Sequence, residues 1–137
     1  MYSLLRPGGM LVLEDVDFRG HFCHPPNEAF DAYVRLYRDA GRRKGADPDI
    51  GPRLPGLLMA SGFESIELDV ALPTFLKGPG KEIAVLTLRA IRKELLAGQL
   101  IGEENLDRLL NELDQFTRQY ESILSMPRII RVLGVRP

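Results

Sequence analysis

The sequence predicts an α/β fold, and three observations carry that expectation. A glycine turn, Gly8-Gly9, opens a short apolar run, Met10-Leu11-Val12-Leu13. Further on, Ile66, Leu68, Val70 and Leu72 alternate with other residues at the period of a half-buried strand. Between and after these runs, apolar residues recur every three to four positions, the spacing of amphipathic helices. At 137 residues the chain falls in the usual range of one domain able to bury a core.

The continuous run at 10–13 reads as a strand buried on both faces, as in a parallel sheet. It gives way abruptly to Glu14-Asp15-Val16-Asp17, and such sheets carry their chemistry beyond the carboxyl ends of strands. Residues 18–26 hold His21, Cys23, His24 and Pro25-Pro26 and are expected to form a loop. Asn27 is the N-cap candidate of the next helix, with Glu28 in its first turn and Arg42, Arg43 and Lys44 near its negative end. Phe30, Val34, Tyr37 and Gly41 give that helix one apolar face, and Gly45 stops it.

The stretch from Asp47 to Pro55, rich in Pro and Gly, is a connector. A short helix through Leu57, Leu58 and Ala60 ends at Gly62, and the alternating strand follows until Pro73 closes it. Ile83, Thr87, Ala90, Ile91 and Leu95 then form one helical stripe from about Pro79 to Ala97, ended by Gly98. Gly102-Glu103-Glu104 starts another helix, with Leu106, Leu109, Leu110, Leu113, Phe116 and Tyr120 on one face. The stretch from Arg128 to Arg136 is β-prone and reads as the last strand. A mean sheet has about five to six strands, so three strands beside so many helices point to missing sheet.

Eighteen Lys and Arg balance nineteen Asp and Glu, whereas a nucleic-acid-binding protein usually gathers a basic excess on one face. No nucleic-acid partner is therefore expected. The single cysteine, Cys23, excludes an internal disulfide framework and fits a reducing compartment. No apolar run is long enough to span a bilayer, and the first residues do not resemble a signal peptide, so the expected location is the cytoplasm.

Leu4-Leu5-Arg6-Pro7-Gly8-Gly9-Met10-Leu11-Val12-Leu13-Glu14-Asp15 resembles the L-(K/R)-P-G-G-x-L segment of class I S-adenosylmethionine-dependent methyltransferases of the ubiquinone/menaquinone-biosynthesis type. In that family the segment joins the fourth helix to the fifth strand. Leu57-Leu58-Met59-Ala60-Ser61-Gly62-Phe63-Glu64-Ser65-Ile66-Glu67 is similar to the family's L-L-x-x-A-G-F-x-x-I/V segment, which leads into the sixth strand. Arg131-Val132-Leu133-Gly134-Val135-Arg136-Pro137 resembles the seventh strand, which in the family returns antiparallel between the fifth and sixth.

The resemblance implies a partial Rossmann-like methyltransferase sheet, fifth to seventh strands, with a helical insertion before the last strand. Residues 1–78 would be the acceptor-side α/β portion, 79–127 a helical cap and 128–137 the last strand. The family's glycine-rich cofactor loop precedes the fourth helix, and no G-x-G-x-x-G occurs here. Gly8-Gly9 cannot replace it, because it precedes a strand instead of following one. S-adenosylmethionine is thus the cofactor of a parent enzyme, not expected to bind this chain alone, and no cofactor-binding residue is assigned. The implied partners are a small-molecule methyl acceptor and either a missing N-terminal half or a second copy in a homo-oligomer. The alternative is a non-catalytic interaction or dimerisation module derived from a methyltransferase.

In the family, the region after the fifth strand covers the methyl acceptor. The candidate substrate-binding residues are accordingly Asp15, His21, His24, Tyr33, Tyr37 and Arg53, with Glu14 and Asp17 in the same crowd. A His or Asp there would orient or deprotonate a nucleophile, although methyl transfer depends chiefly on alignment. Arg53, in a rigid connector, would clamp a carboxylate or phosphate. The bland alternative is that these are solvated loop polars, core-facing tyrosines and a surface cation. His21-Phe22-Cys23-His24 with Asp17 offers zinc-type donors but lacks the spaced ligand pairs of structural zinc, and no metal is assigned. Gly78-Pro79-Gly80-Lys81 is not a phosphate loop, since Phe75 and Glu82 stand where glycine and Ser or Thr are required.

Overall fold

The computed structural model describes residues 2–137. Among them the chain is mixed α/β, with two small antiparallel sheets of three strands each and five helices. The first sheet contains β1 (Met10–Asp17), β6 (Arg128–Val135) and β3 (Glu64–Ala71), in the order β1-β6-β3. β6 runs antiparallel to both neighbours, from Met10 opposite Val135 to Asp17 opposite Arg128, and with Leu68 opposite Val132. The expectation of a parallel sheet is corrected to this extent: β1 and β3 share a direction but are separated by the antiparallel β6.

β1 is also longer and less buried than a doubly covered strand. Leu11 and Leu13 face a cluster built from Leu54, Leu58, Phe63, Ile130 and Val132, while Met10 and Val12 are 64% and 53% exposed on the other face. The same correction applies to β3. Ile66 packs on the cluster, but Leu68, Val70 and Leu72 are exposed, because α2 (Leu54–Ala60) is too short to cover the far half of β3. α2 ends as expected at Gly62, whose φ of +88° is the left-handed conformation that glycine adopts without strain.

The remainder is a helical body. α1 (Glu28–Arg43) starts on Asn27, whose side chain accepts from the Phe30 amide at 3.0 Å. Its buried face is Ala29, Phe30, Tyr33, Leu36 and Ala40, turned slightly from the face expected, so Val34 and Tyr37 sit at its margin. The single helix expected over 79–97 is broken into a 3-10 turn at Pro79–Glu82, α3 (Ile83–Ala90) and α4 (Arg92–Ala97). The bend at Ile91 lets α3 lie against both α1 and α5 (Glu103–Arg118) while α4 follows α1. Leu88, Leu95, Leu106 and Leu113 all reach full burial in this core. Tyr120 is corrected: α5 ends at Arg118 and Tyr120 is 88% exposed.

The second sheet has no counterpart among the expected elements. β2 (Cys23–His24) and β4 (Thr74–Phe75) flank β5 (Ile123–Ser125), so the expected loop at 18–26 holds a 3-10 turn, Phe18–Gly20, and a short strand. The Ser125 side chain accepts from the Phe22 amide at 2.9 Å and ties the chain between that turn and β2 to β5. No helix among the described residues is long and apolar enough to cross a membrane.

Candidate functional site

The carboxyl end of β1 is the chemically densest part of the molecule. The register places Asp17, last residue of β1, opposite Arg128, first residue of β6. Asp17 is fully buried. Its Oδ1 accepts from the Arg19 amide at 3.1 Å and from Arg19 Nε at 3.0 Å, and its Oδ2 accepts from Arg128 Nη2 at 2.5 Å. Burial opposes ionisation of this carboxyl, but hydrogen bonds from Arg128 and Arg19 outweigh it and hold the group below the usual carboxylate range.

The connector after α1 folds back over this end. The Phe18 amide donates to the Pro48 carbonyl at 3.1 Å. The Asp49 Oδ2 accepts from Arg38 at 2.6 and 3.0 Å and from Arg42 at 3.0 Å. Gly51 is needed here for close approach, since a Cβ would lie 2.7 Å from Ile130 Cγ1 and 3.0 Å from the Val16 carbonyl. The bonds tie the connector to the turn after β1 and to α1, and the close packing at Gly51 seats it against β1 and β6.

The structure separates the six expected substrate-binding residues. Asp15 lies exposed on β1, its Oδ1 accepting from the Val16 amide at 2.8 Å. His24 is exposed on β2, opposite Ile123. Arg53 is exposed and donates to Asp47 Oδ2 at 2.8 Å, so its expected clamp is already occupied by an internal acid. The other three converge. His21 is buried among Phe18, Phe30 and Tyr33, at ring-centroid distances of 5.6, 4.8 and 5.4 Å. Tyr37 stacks on Phe18 at 3.9 Å, and Tyr33 is wholly enclosed.

This aromatic cage sets the chemistry of its polar members. Burial pushes the His21 imidazole down to about 4, against the opposing influence of backbone groups of Met126 and Ser125. The ring is therefore neutral near pH 7, and neither nitrogen completes a hydrogen bond among the described residues. Burial raises the Tyr33 hydroxyl above the usual range; Thr87 approaches it without closing a bond. A neutral imidazole could accept a proton, but both groups are walled off from solvent, so they are core residues first. Burial likewise pushes the Cys23 thiol up to about 11, which disfavours the thiolate a metal requires. No three His, Cys, Asp or Glu side chains among the described residues are grouped to hold a metal ion.

Sequence reasoning missed Arg19, Arg128, Arg38 and Asp49, and it named Asp17 without ranking it above Asp15. One signal was available: Arg19 follows Asp17 by two residues, the spacing at which a capping acid bonds the amide and side chain beyond it. Arg128 is 111 positions from Asp17, and only the strand register brings them together.

Two other features are explained without chemistry. The Gly8 amide donates to the Arg136 carbonyl and the Gly9 amide to the Arg6 carbonyl, each at 2.8 Å, so neither faces a ligand. Lys81 is buried, with its Nζ donating to the Gln119 carbonyl at 2.7 Å and the Leu76 carbonyl at 3.2 Å. It thus fastens the turn before α3 to the chain just beyond α5. Two clefts lie elsewhere. One of about 730 Å³ runs between α1 and α5, and one of about 880 Å³ lies over the 76–82 turn. Both are shallow, and none of the six candidates lines either; the polar geometry at the end of β1 therefore outweighs them as a site. No protein-family model and no curated protein matches the chain.

Proposed function

We propose that this chain is the acceptor-side portion of a class I S-adenosylmethionine-dependent methyltransferase, inactive without a cofactor-binding half. The observation that supports this reading best is the first sheet. β6 lies antiparallel between β1 and β3, the arrangement that the resemblance implies for the fifth, seventh and sixth strands. The motif glycines stand at the matching junctions, with Gly8 (φ +75°) entering β1 and Gly62 entering β3. On this reading the sheet is the end of a Rossmann-like sheet, the free edge of β1 is where it would continue, and α3 to α5 form a cap.

The acceptor side would then be the carboxyl end of β1, with Asp17 and its arginines, the connector and the aromatic cage. Methyl transfer from a sulfonium needs the acceptor atom in line with the methyl group, so a rigid positioning surface suits this role without a catalytic base. A second reading, an interaction module derived from such an enzyme, is favoured by the exposed Met10 and Val12 beside an unpaired strand edge.

The test is calorimetric titration with S-adenosylmethionine, joined to the DNA sequence upstream of Met1. The expected result is no micromolar binding by the 137-residue chain, an in-frame upstream segment encoding a strand and a glycine-rich turn, and micromolar binding by the longer protein. Micromolar binding by the 137 residues alone would overturn the proposal.

A further inference from the structure

We propose that Arg19 and Arg128 form an oxyanion clamp at the carboxyl end of β1, built to hold a carboxylate or phosphate group of a small ligand. One buried carboxylate orients two guanidinium groups from distant parts of the chain. Asp17 has spent both oxygens on them and is out of solvent's reach, so it cannot swing away or pair elsewhere. Each guanidinium offers five N–H donors in a planar fork. Arg19 uses only its Nε on Asp17, and Arg128 only its Nη2; among the described residues no other hydrogen bond is made by either group. Arg128 Nε is buried and unpartnered, while both side chains remain partly open to solvent, at 55% and 41%.

Charge leaves the clamp unfilled. Two guanidinium groups share the single charge of Asp17. Asp49 is engaged by Arg38 and Arg42, and Asp47 by Arg53, although both acids also act on Arg19 at longer range. The excess positive charge falls to the pair that shares Asp17. Gly20 makes this geometry possible, because a Cβ there would sit 2.5 Å from Arg128 Cβ. Two pre-oriented forks with spare donors are a recognition device for planar or tetrahedral oxyanions. Assigning the anion to the methyl acceptor rests on the function proposed above; the clamp itself does not.

The experiment is titration of the isotope-labelled full chain with inorganic phosphate and, separately, acetate, followed by nuclear magnetic resonance at constant ionic strength. The expected result is saturable shifts concentrated at the Arg19, Gly20 and Arg128 amides and at the two Arg Nε–H signals. The tighter arm identifies the oxyanion class. Arg19→Ala and Arg128→Lys should each weaken binding by about tenfold, the second keeping the charge beside Asp17 while losing the fork. Arg118→Ala, on the exposed end of α5, should leave the affinity unchanged. Binding by neither anion, shifts spread evenly over surface arginines, or wild-type affinity in both clamp variants would overturn the proposal. The titration contains no S-adenosylmethionine, so its failure leaves the methyltransferase reading standing.

Discussion

The two halves of this molecule bury their apolar residues very differently. In the helical body, fourteen buried residues from Phe18, α1, α3, α4, α5 and β5 join in one cluster, and its leucines at 88, 95, 106 and 113 have no exposure. The sheet of β1, β6 and β3 rests on five buried residues, covered on one face by α2 and the chain around Tyr2, Leu5 and Ile50. Among the described residues, eight of the twelve large exposed apolar side chains belong to this half: Leu4, Met10, Val12, Leu57, Met59, Leu68, Val70 and Leu72. Helices close a core by packing their apolar stripes on one another, whereas an antiparallel sheet can bury one face and leave the other to solvent. The body closes its core among the described residues, whereas the sheet leaves Met10, Val12, Leu68 and Val70 exposed.

The largest effect that separates the halves should come from cavities. Leu106→Ala in the body is expected to cost about 2–5 kcal/mol, because close packing on every side leaves the void unfilled. Leu58→Ala under the sheet should fall at the low end of that range, since its smaller cluster borders solvent and can relax. Urea unfolding of both variants checks this, and equal losses would erase the distinction.

A second test uses pH. Folding lowers the His21 pKa to about 4, so between pH 4 and 6.5 the unfolded chain binds a proton that the native chain refuses. Stability contributed by the neutral ring is therefore fully present above the unfolded value and declines as pH falls through this window. Between pH 7 and pH 5 the loss should be about 2 kcal/mol. His21→Phe fits the same aromatic cage and should remove most of that slope; an unchanged slope would mean that His21 is solvated or paired in solution. Asp17, with its lowered pKa, acts only at more acid pH, where its ion pairs fail as it protonates.

A smaller effect belongs to the entrance of the body. Asn27→Ala removes the side-chain acceptor for the Phe30 amide and should cost about 1 kcal/mol by thermal melting. This cap was legible in the sequence, as were α2 with its Gly62 stop, the start of α5 and the last strand, because each has a local cause. Long-range causes were not legible. The strands β2, β4 and β5 are two or three residues long and exist only through pairing with one another, so no periodicity marks them. The run at 10–13 reads as doubly buried, yet burial depends on what lies against each face, and only Leu11 and Leu13 meet α2's cluster. In the candidate site the same division holds. The acids after β1 were visible as a group, but the choice of Asp17 over Asp15 follows from Arg128, which reaches it by strand register alone.

The smallest expected effect tests the sheet most directly. Met10→Gln and Val12→Thr replace exposed side chains on the outer face of β1, where Glu14, Arg131 and Asp69 already form a solvent-facing ion group. Neither change opens a cavity or leaves a buried group unpaired, so each should alter the unfolding free energy by less than about 0.5 kcal/mol. Val12→Thr also keeps the β-branching that suits a strand. Thermal melting at several protein concentrations gives the decisive reading. A concentration-independent shift of that small size would establish that the face is bare in the isolated chain. A loss of more than about 1 kcal/mol that grows with concentration would mean that another chain covers it, since only desolvated residues carry such a cost.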